Sequence, residues 1–329
     1  MIPQKMKALQ LRAINQLELT EMPVPVPGPG EVLIRTRVTT ICTSDLHDIR
    51  ANPFGIRLPN VLGHEAAGII AACGSGVEGL KPGQHVAAHP VVPCGHCVEC
   101  RRNFGHLCLN MGHLGIDRQG TFAAYFTQRA DRLRVLPETM PFALGALLEP
   151  VANCLQAIAR AGDLRNRVVL VVGDGPFGNI IARLAQRAGA ARVLVLGKEP
   201  FRLGMIPGAE ILNEAPQGLA DVAILAVSAN EALDTCMRAL RKRGRLIVFS
   251  LLMDPVPVNL FSVHVSELEI LGCCNDEDKM DEALTCLKDP ALGLEALVTH
   301  RIPFENWEEA IDLAANRHDK ALKVAMTFS

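Results

Sequence analysis

Short apolar runs, broken by glycine and proline, dominate the first 150 residues. Two of them, Val32 to Val38 and Val61 to Ala72, are rich in β-branched residues, which suit the pleated, half-buried surface of a sheet. The turn series VPVPGPG precedes the first run, and proline and glycine at this density end regular elements. The pattern predicts a mainly β domain over residues 1–150.

From Asp163 the pattern changes to alternating strands and helices. An apolar run from Val168 to Val172 is followed by a glycine turn, a helical stretch from Asn179 to Ala188 and a second apolar run from Val193 to Leu196. This order is that of a βαβ unit in a buried parallel sheet. The pattern predicts three further strands, at Val222–Val227, Leu246–Ser250 and Leu268–Leu271. It also predicts a helix at Glu231–Arg243.

The last segment, from about Gly293, contains the apolar runs VTHRIPF and ALKVAMTF, separated by the amphipathic stretch Trp307 to Asn316. No internal repeat and no low-complexity segment interrupts the chain. The predicted fold class is therefore α/β, with a mainly β domain and a doubly wound parallel sheet.

Composition narrows the class of protein. A chain of 329 residues with 49% hydrophobic and 21% charged residues can bury large cores and is expected to form about two domains. The formal net charge of −2, with scattered basic residues, gives no reason to expect nucleic-acid binding. No apolar run approaches the roughly eighteen residues that span a bilayer, and the chain begins without a secretory signal. A cytoplasmic protein without membrane contact is expected.

Four closely spaced cysteines, Cys94, Cys97, Cys100 and Cys108, lie in the run PCGHCVECRRNFGHLC. Pairs two residues apart let neighbouring thiolates wrap one Zn²⁺ ion, which takes four ligands in a closed tetrahedral shell. The alternative is two disulfides, which would need an oxidising compartment. We therefore expect a structural zinc lobe over about residues 90–110. Other cysteines lie mostly in apolar stretches, as buried thiols do.

A glycine motif follows the first strand of the predicted parallel sheet and precedes its helix. Such a turn allows a pyrophosphate to approach the backbone, and the helix N-terminus favours the phosphate charge. In the run GDGPFG, from position 173 to 178, this context predicts a dinucleotide site in which the coenzyme is bound by Gly173, Gly175, Pro176, Phe177 and Gly178.

The residues after the second strand of this unit bear on the choice of coenzyme. NAD-binding proteins usually carry an acidic residue there for the ribose 2′-OH, but Leu196 is followed by Gly197 and Lys198. The small Gly197 is expected to leave room for a 2′-phosphate, and Lys198 with Arg202 to offer it positive charge. NADP(H) is thus favoured over NAD(H). In the alternative interpretation, Lys198 is a solvated loop residue and Glu199 binds the ribose 2′-OH.

Two upstream motifs, Cys42-Thr43-Ser44-Asp45-Leu46-His47 and Gly63-His64-Glu65-Ala66-Ala67-Gly68, suggest a second metal site. Each is weak alone, since a single Cys or His is more often a packed core residue. Together, a thiolate at Cys42 and an imidazole at His64, with carboxylates at Glu65 and later at Glu149, form a mixed donor set that suits a catalytic zinc.

With these motifs in order, the chain resembles the zinc-dependent medium-chain dehydrogenases, on their polyol (sorbitol) and threonine dehydrogenase side. The run GHEAAGIIAACGSGV fits that family's zinc signature, and the resemblance spans essentially the whole sequence. It implies a GroES-like catalytic domain at 1–150, a Rossmann coenzyme domain at 151–287, and a segment, 288–329, that returns to the catalytic domain.

The resemblance also implies roles at the metal. Cys42 and His64 would be ligands of the catalytic zinc, and Glu65 would bind the metal or stand just behind it. Glu149 matches the glutamate found where classical alcohol dehydrogenases have a cysteine ligand, so Glu149 or a water would complete the shell. Asp45 would accept the His64 ring N–H, although a helix N-terminal carboxylate is equally consistent with its position. Two zinc ions per chain are therefore expected.

For the chemistry, the resemblance implies a dehydrogenase that interconverts a secondary alcohol and its ketone. Ser44 resembles the family's relay hydroxyl, and His47 is expected either to pass the proton outward or to be a solvent-facing histidine. The alcohol would be a polyol, sugar or amino alcohol, with a threonine-type 3-hydroxy acid as the runner-up. A non-catalytic zinc- and coenzyme-binding sensor or structural protein is the alternative of a different class.

Three further expectations remain open at the level of sequence. The family's dimers and tetramers suggest a homo-oligomer, and Phe54, Leu114 and Phe122 are candidates for lining a substrate pocket. Only seven residues separate Asn213 from Asp221, where the family usually carries a helix. One crossover of the parallel sheet is therefore expected to be shortened.

Overall fold

The computed structural model describes all residues from 1 to 329, which form two units. The first combines Met1–Pro150 with Met280–Ser329, and the second is Val151–Lys279. The second unit thus ends at Lys279 rather than at the expected residue 287, because the helix that follows packs with the first unit.

The first segment of the chain is mostly strand, as its turn-broken apolar runs predict. Its strands are β1 (Lys5–Ala13), β2 (Gln16–Pro23), β3 (Glu31–Thr40), β4 (Asn60–Val61), β5 (Glu65–Cys73), β6 (His85–Ala88), β7 (Val91–Val92), β8 (Gly112–His113), β9 (Tyr125–Arg129) and β10 (Leu133–Val135). Its helices are α1 (Thr43–Ala51), α2 (Val98–Arg101) and α3 (Phe142–Gly145). Short 3₁₀ turns lie at Gly105–Leu107 and Ala130–Arg132.

The middle segment alternates between strands and helices. Helix α4 (Leu148–Ala161) leads into β11 (Val168–Val172), α5 (Pro176–Arg187), β12 (Arg192–Leu196), α6 (Pro200–Gly204), β13 (Glu210–Leu212), β14 (Ala220–Leu225), α7 (Asn230–Ala239), β15 (Leu240–Val248), α8 (Leu260–Ser266) and β16 (Glu269–Gly272).

The last segment completes the first unit. It contains α9 (Met280–Leu287), β17 (Val298–Pro303), α10 (Trp307–Asn316) and β18 (Lys323–Thr327), with 3₁₀ turns at Pro290–Leu292, Leu294–Leu297 and Phe304–Asn306. The amphipathic stretch seen in the sequence is thus the whole of α10.

The first unit is built on a seven-stranded sheet in the order β10-β6-β5-β3-β18-β17, in which β9 also pairs with β3. A three-stranded sheet β2-β1-β4 and a two-stranded sheet β7-β8 accompany it. Strand β18 pairs antiparallel with β3 and parallel with β17. The C-terminal residues therefore lie inside the sheet formed by the first 150.

The predicted strand Val61 to Ala72 is interrupted near its start, at Gly63. Gly63 has a φ of +90°, a conformation that side-chain-bearing residues rarely adopt, and a Cβ there would lie 2.6 Å from the ring atom Cε1 of Phe122. The break separates β4 from β5 and leaves His64 in a non-strand position at the start of β5.

The second unit is a six-stranded parallel sheet in the order β13-β12-β11-β14-β15-β16. Its two central strands, β11 and β14, are apolar except for Asp221 at the start of β14, as expected where helices cover both faces. Helix α7 ends at Ala239, so the prediction of helix up to Arg243 is wrong. Residues 240–243 are instead the first part of β15, and Arg241 in this stretch contacts the buried carboxylate of Asp221.

The crossover from β13 to β14 is shortened, as expected, and carries no helix. The chain must pass β12 and β11, about 14 Å away at normal strand spacing, and must also return along the length of a strand. The eight peptide steps from Leu212 to Ala220 reach about 28 Å when fully extended. Residues 213–219 therefore form a nearly extended strap rather than a covering helix.

One stretch of helix, Phe142–Ala161, is long and apolar enough to cross a membrane by length and composition. This differs from the expectation that no run approaches that length. The most apolar part of the stretch is 72% buried inside the fold, and α3 and α4 within it are separate helices. Burial to this extent is typical of a helix in the protein core.

Asp221 joins the N-terminal ends of three parallel strands. It accepts the backbone N–H of Val168 at 2.8 Å and the guanidinium of Arg167 at 3.0 Å, and it also pairs with Arg241. Its side chain is 6% exposed while both arginines are half-exposed.

We expect Asp221→Asn to lower the free energy of unfolding by about 2 kcal/mol, because the two guanidinium groups lose a shared buried carboxylate. Urea unfolding followed by circular dichroism measures the change. The matched control is Asp234→Asn, which removes an exposed pair with Arg238 and should have little effect. Equal effects of the two substitutions would contradict this role.

Candidate active site with two metal-binding clusters

The Asp45 carboxylate connects the two loops that carry the predicted metal ligands. In the first turn of α1, its Oδ2 accepts the backbone N–H of Cys42 at 2.8 Å. Its Oδ1 accepts the backbone N–H of Gly63 at 3.3 Å and lies 3.2 Å from Nδ1 of His64. A carboxylate can only accept here, so Nδ1 of His64 carries the proton and Nε2 is left for a metal. Asp45 therefore serves both as a helix-end carboxylate and as the partner of the ring.

Cys42, His64 and Glu65 form one buried donor set. The thiol, one ring nitrogen and one carboxylate oxygen all lie within 4.8 Å of one another, and all three residues are buried. Burial would lower the pKa of His64, but the Asp45 carboxylate and the Cys42 thiol outweigh it and raise that pKa well above its usual value. This concentration of negative charge and lone pairs fits a divalent cation.

The Glu65 carboxylate is bound by two side chains that were not identified from the sequence. The Lys323 ammonium lies 2.6 Å from its carboxylate, and the Thr40 hydroxyl donates to the same group. Glu65 is 0% and Lys323 3% exposed. Burial would lower the pKa of Lys323, but Glu65, Cys42 and Glu149 raise it. A lysine inside the apolar run ALKVAM was the signal that could have revealed it.

Glu149 lies apart from this donor set. It is buried in the first turn of α4, and its charge contributes to the raised pKa of Lys323, but its oxygens are not among the donor atoms brought within 4.8 Å. Of the predicted ligands, the structure thus brings three together and leaves the fourth outside the group.

Ser44 and His47 follow Cys42 on α1, and both are half-buried. Partial burial, with the charges of Arg50 and Arg317, lowers the pKa of His47. The imidazole is therefore neutral at pH 7, as a proton acceptor must be.

A histidine that the sequence analysis did not name lies beside His64. The ring of His113, at the end of β8, is 5.6 Å from that of His64, edge to face. Of the three expected pocket residues, Leu114 and Phe122 are wholly buried in the hydrophobic cores and only Phe54 is exposed. The expectation for Leu114 and Phe122 was therefore wrong, since alternation along the chain turns His113, and not Leu114, away from the core.

The four cysteines of the lobe converge on one point. The Sγ atoms of Cys97 and Cys108 are 3.8 Å apart, and those of Cys94 and Cys100 are 4.0 Å apart. Sulfurs at about 2.3 Å from a tetrahedral zinc are separated by about 3.8 Å, so the cluster fits zinc, and all four are free thiols. Backbone N–H groups of Cys100 and Leu109 lower the pKa of Cys97 to about 6.

The glycine turn has the shape that a pyrophosphate requires. Gly173 has a φ of +127°, and a Cβ at Gly178 would overlap the carbonyl oxygen of Gly173. A Cβ at Gly175 would meet nothing within 4 Å, so the backbone is open to a ligand at the start of α5. The Asn179 amide donates to the Asp174 carbonyl at 3.0 Å and holds the turn.

The end of β12 differs from the expectation. The space beside Gly197 is filled by the Asp174 side chain, since a Cβ at Gly197 would lie 2.6 Å from that of Asp174. The Asp174 carboxylate accepts the backbone N–H groups of Lys198 and Glu199, both at 2.7 Å. Arg202 is buried and lies 3.9 Å from the same carboxylate, whereas Lys198 is exposed.

Comparison with known proteins agrees with this architecture. The family described as "Alcohol dehydrogenase GroES-like domain" matches residues 28–138. L-threonine 3-dehydrogenase of Pyrococcus horikoshii is 31% identical over 318 residues, covering 90% of this chain and 91% of that protein. Sorbitol dehydrogenase of Bacillus subtilis is 28% identical over 343 residues, covering 98% and 97%.

Among solved structures, a protein from Sinorhizobium meliloti bound to NADP superposes with a TM-score of 0.92 at 25% identity, covering 99% of this chain and 100% of that one. The predicted α/β class, a GroES-like mainly β domain with a Rossmann-type sheet, is confirmed. The chain belongs to the zinc-dependent medium-chain alcohol dehydrogenases, in their polyol and threonine dehydrogenase branch.

Proposed function

We propose that this protein is a zinc-dependent oxidoreductase that interconverts a secondary alcohol, of the polyol, sugar or amino alcohol class, and its ketone with a nicotinamide coenzyme. The observation that carries the proposal is the buried donor set of Cys42, His64 and Glu65, with the hydroxyl of Ser44 two residues from the thiol. The threonine and sorbitol dehydrogenases to which the chain is similar support the class of substrate.

Cys42 and His64 hold the catalytic zinc in this proposal, and Asp45 orients the His64 ring. A zinc ion bound there would act as a Lewis acid that lowers the pKa of the substrate hydroxyl, and a bound nicotinamide would accept the hydride. Glu65 would lie beside a bound zinc ion, with its charge shared by Lys323 and Thr40. Because Glu149 lies outside the donor set, water or substrate would provide the remaining ligand.

The proton released from the alcohol passes through side chains of α1. Ser44 accepts it and gives up its own hydroxyl proton toward His47, one turn further along the helix. Because partial burial and two arginine charges lower the pKa of His47, the neutral base persists to lower pH than for a free histidine. The imidazole then releases the proton to solvent.

A second zinc, held by Cys94, Cys97, Cys100 and Cys108, would have a structural role, because four thiolates leave no position open for substrate. It closes the loop between β7 and β8, and β8 carries His113. None of the eleven cysteines forms a disulfide, which supports a reducing, cytoplasmic setting.

Separate loss of the two metals tests both assignments. Cys42→Ser should reduce alcohol-dependent coenzyme reduction by more than about a hundredfold, because the Lewis acid supplies several kcal/mol. Cys97→Ser should instead lose about one zinc per chain by elemental analysis and retain the other. An active Cys42→Ser enzyme would contradict the catalytic site, and full zinc content in Cys97→Ser would contradict the lobe. Coenzyme binding without turnover of any alcohol would favour the sensor alternative.

We also propose that NADP(H) is preferred over NAD(H). The Asp174 charge is balanced by two backbone N–H groups and by Arg202, so the exposed Lys198 remains as an uncompensated charge next to the adenosine ribose position. Gly197 contributes to this preference only because it places no side chain of its own at the ribose position.

Lys198→Ala should weaken NADPH binding about tenfold and leave NADH binding unchanged, because only the 2′-phosphate carries the lost partner charge. Parallel fluorescence titrations of the zinc-loaded protein measure both affinities. Lys242→Ala, at the other end of the parallel strands, is the matched control. If the two coenzymes respond equally to Lys198→Ala, Lys198 does not select the 2′-phosphate. Aspartate at position 197 is unsuitable as a test because it would displace Asp174.

The protein is proposed to form a homo-oligomer through the β16 edge of the parallel sheet. The unpaired backbone groups of an edge strand can pair with those of a second copy. Beside it, α8 exposes Leu260, Phe261 and Val265, and Phe261 is 73% exposed. Large apolar side chains clustered at an unpaired edge are typical of an interface.

Phe261→Glu should shift the protein toward monomers, because it places a charge in the apolar contact. Sedimentation velocity at several concentrations measures the mass. Val26→Glu, at an exposed apolar position of the first unit, serves as the control and should not alter it. A mass unaffected by Phe261→Glu would show that the assembly uses another surface.

A further inference from the structure

The orientation of His113 is determined by its own backbone. Nδ1 of the ring lies 2.7 Å from the carbonyl oxygen of Leu114. A carbonyl only accepts, so Nδ1 carries the ring proton and Nε2 of the neutral imidazole is a hydrogen-bond acceptor. The backbone N–H of His113 donates to Asp117, which further restrains the residue. His113 is thus a rigid acceptor with a defined tautomer.

No group of the protein uses that acceptor. Nε2 of His113 makes no hydrogen bond within the chain, although the residue is only half-buried and its ring is 5.6 Å from that of His64.

Other acceptors near His64 are already engaged. The Asp45 carboxylate accepts from the backbones of Cys42 and Gly63 and from the His64 ring. The Glu65 carboxylate is paired with Lys323 and Thr40. Among these three groups, Nε2 of His113 is therefore the acceptor that has no partner within the chain, and its ring lies beside His64.

We propose that His113 is a specificity-determining residue that accepts a hydrogen bond from a hydroxyl or ammonium group on the carbon next to the reacting carbinol. The inference rests on the proposed alcohol dehydrogenase function and narrows its substrate to vicinal diols and vicinal amino alcohols. An alcohol without the second donor would leave the acceptor unpaired once water is excluded, which penalises it.

The test compares butane-2,3-diol with butan-2-ol, which lacks only the second hydroxyl. For the zinc-loaded wild-type enzyme, kcat/KM for the diol should exceed that for the monoalcohol by about a hundredfold. His113→Phe should lower the diol value by about the same factor and leave the monoalcohol value within about threefold. His113→Gln, which retains an acceptor oxygen, should recover part of the diol activity. His300→Phe, at a half-buried histidine on β17, is the control and should change neither value.

Three readouts separate the possible failures. Equal loss for both alcohols, or an unchanged ratio in His113→Phe, would overturn the role of His113, and so would loss of catalytic zinc in that variant, since it would make His113 a metal-site residue. Wild-type protein that turns over no alcohol would refute the proposed function. In that case, calorimetric binding of the diol, weakened about tenfold or more in His113→Phe, would still support the acceptor, and undiminished binding would refute it.

Discussion

The buried pair between Glu65 and Lys323 is the constraint on which the first unit depends. Two opposite charges that are almost fully removed from water are tolerated only when they contact each other and their remaining hydrogen-bonding positions are filled. The pair joins residues 258 positions apart, so it forms only when the last strand, β18, has entered the sheet beside β3. Within the metal-binding cluster, the Glu65 charge is thus paired with Lys323 only when the C-terminal segment has returned to the first one.

Asp45 provides the second level of organisation. One carboxylate binds the backbone before α1, the backbone at the break between β4 and β5, and the ring of His64. The thiol and the imidazole come from separate loops, and neither loop is regular at its ligand. Because a single rigid group spans both, the donor atoms are arranged in advance, and less conformational entropy is lost when a metal binds.

The second unit applies the same logic to the coenzyme turn. Asp174 lies within the glycine motif but directs its carboxylate to the loop after the next strand, where it binds two consecutive N–H groups. This contact replaces the strand-end side chain that Gly197 lacks and links the pyrophosphate turn to the ribose end. The shortened crossover leaves this region intact, because the strap lies between β13 and β14 and not at the turn after β11.

Local patterns were enough to determine much of this protein. The spacing of Cys94, Cys97, Cys100 and Cys108, the position of the glycines between β11 and α5, and the apolar runs of the parallel strands are short-range features, and their physical requirements hold within a few residues. Such local patterns do not predict the contacts between segments that are distant in the sequence. The sequence could not show that Lys323 pairs with Glu65, that Asp174 fills the space beside Gly197, that Glu149 lies outside the donor set, or that His113 faces His64 while Leu114 is in the core. These arrangements were decided by the tertiary structure, because burial and charge pairing depend on which residues the folded sheet brings together.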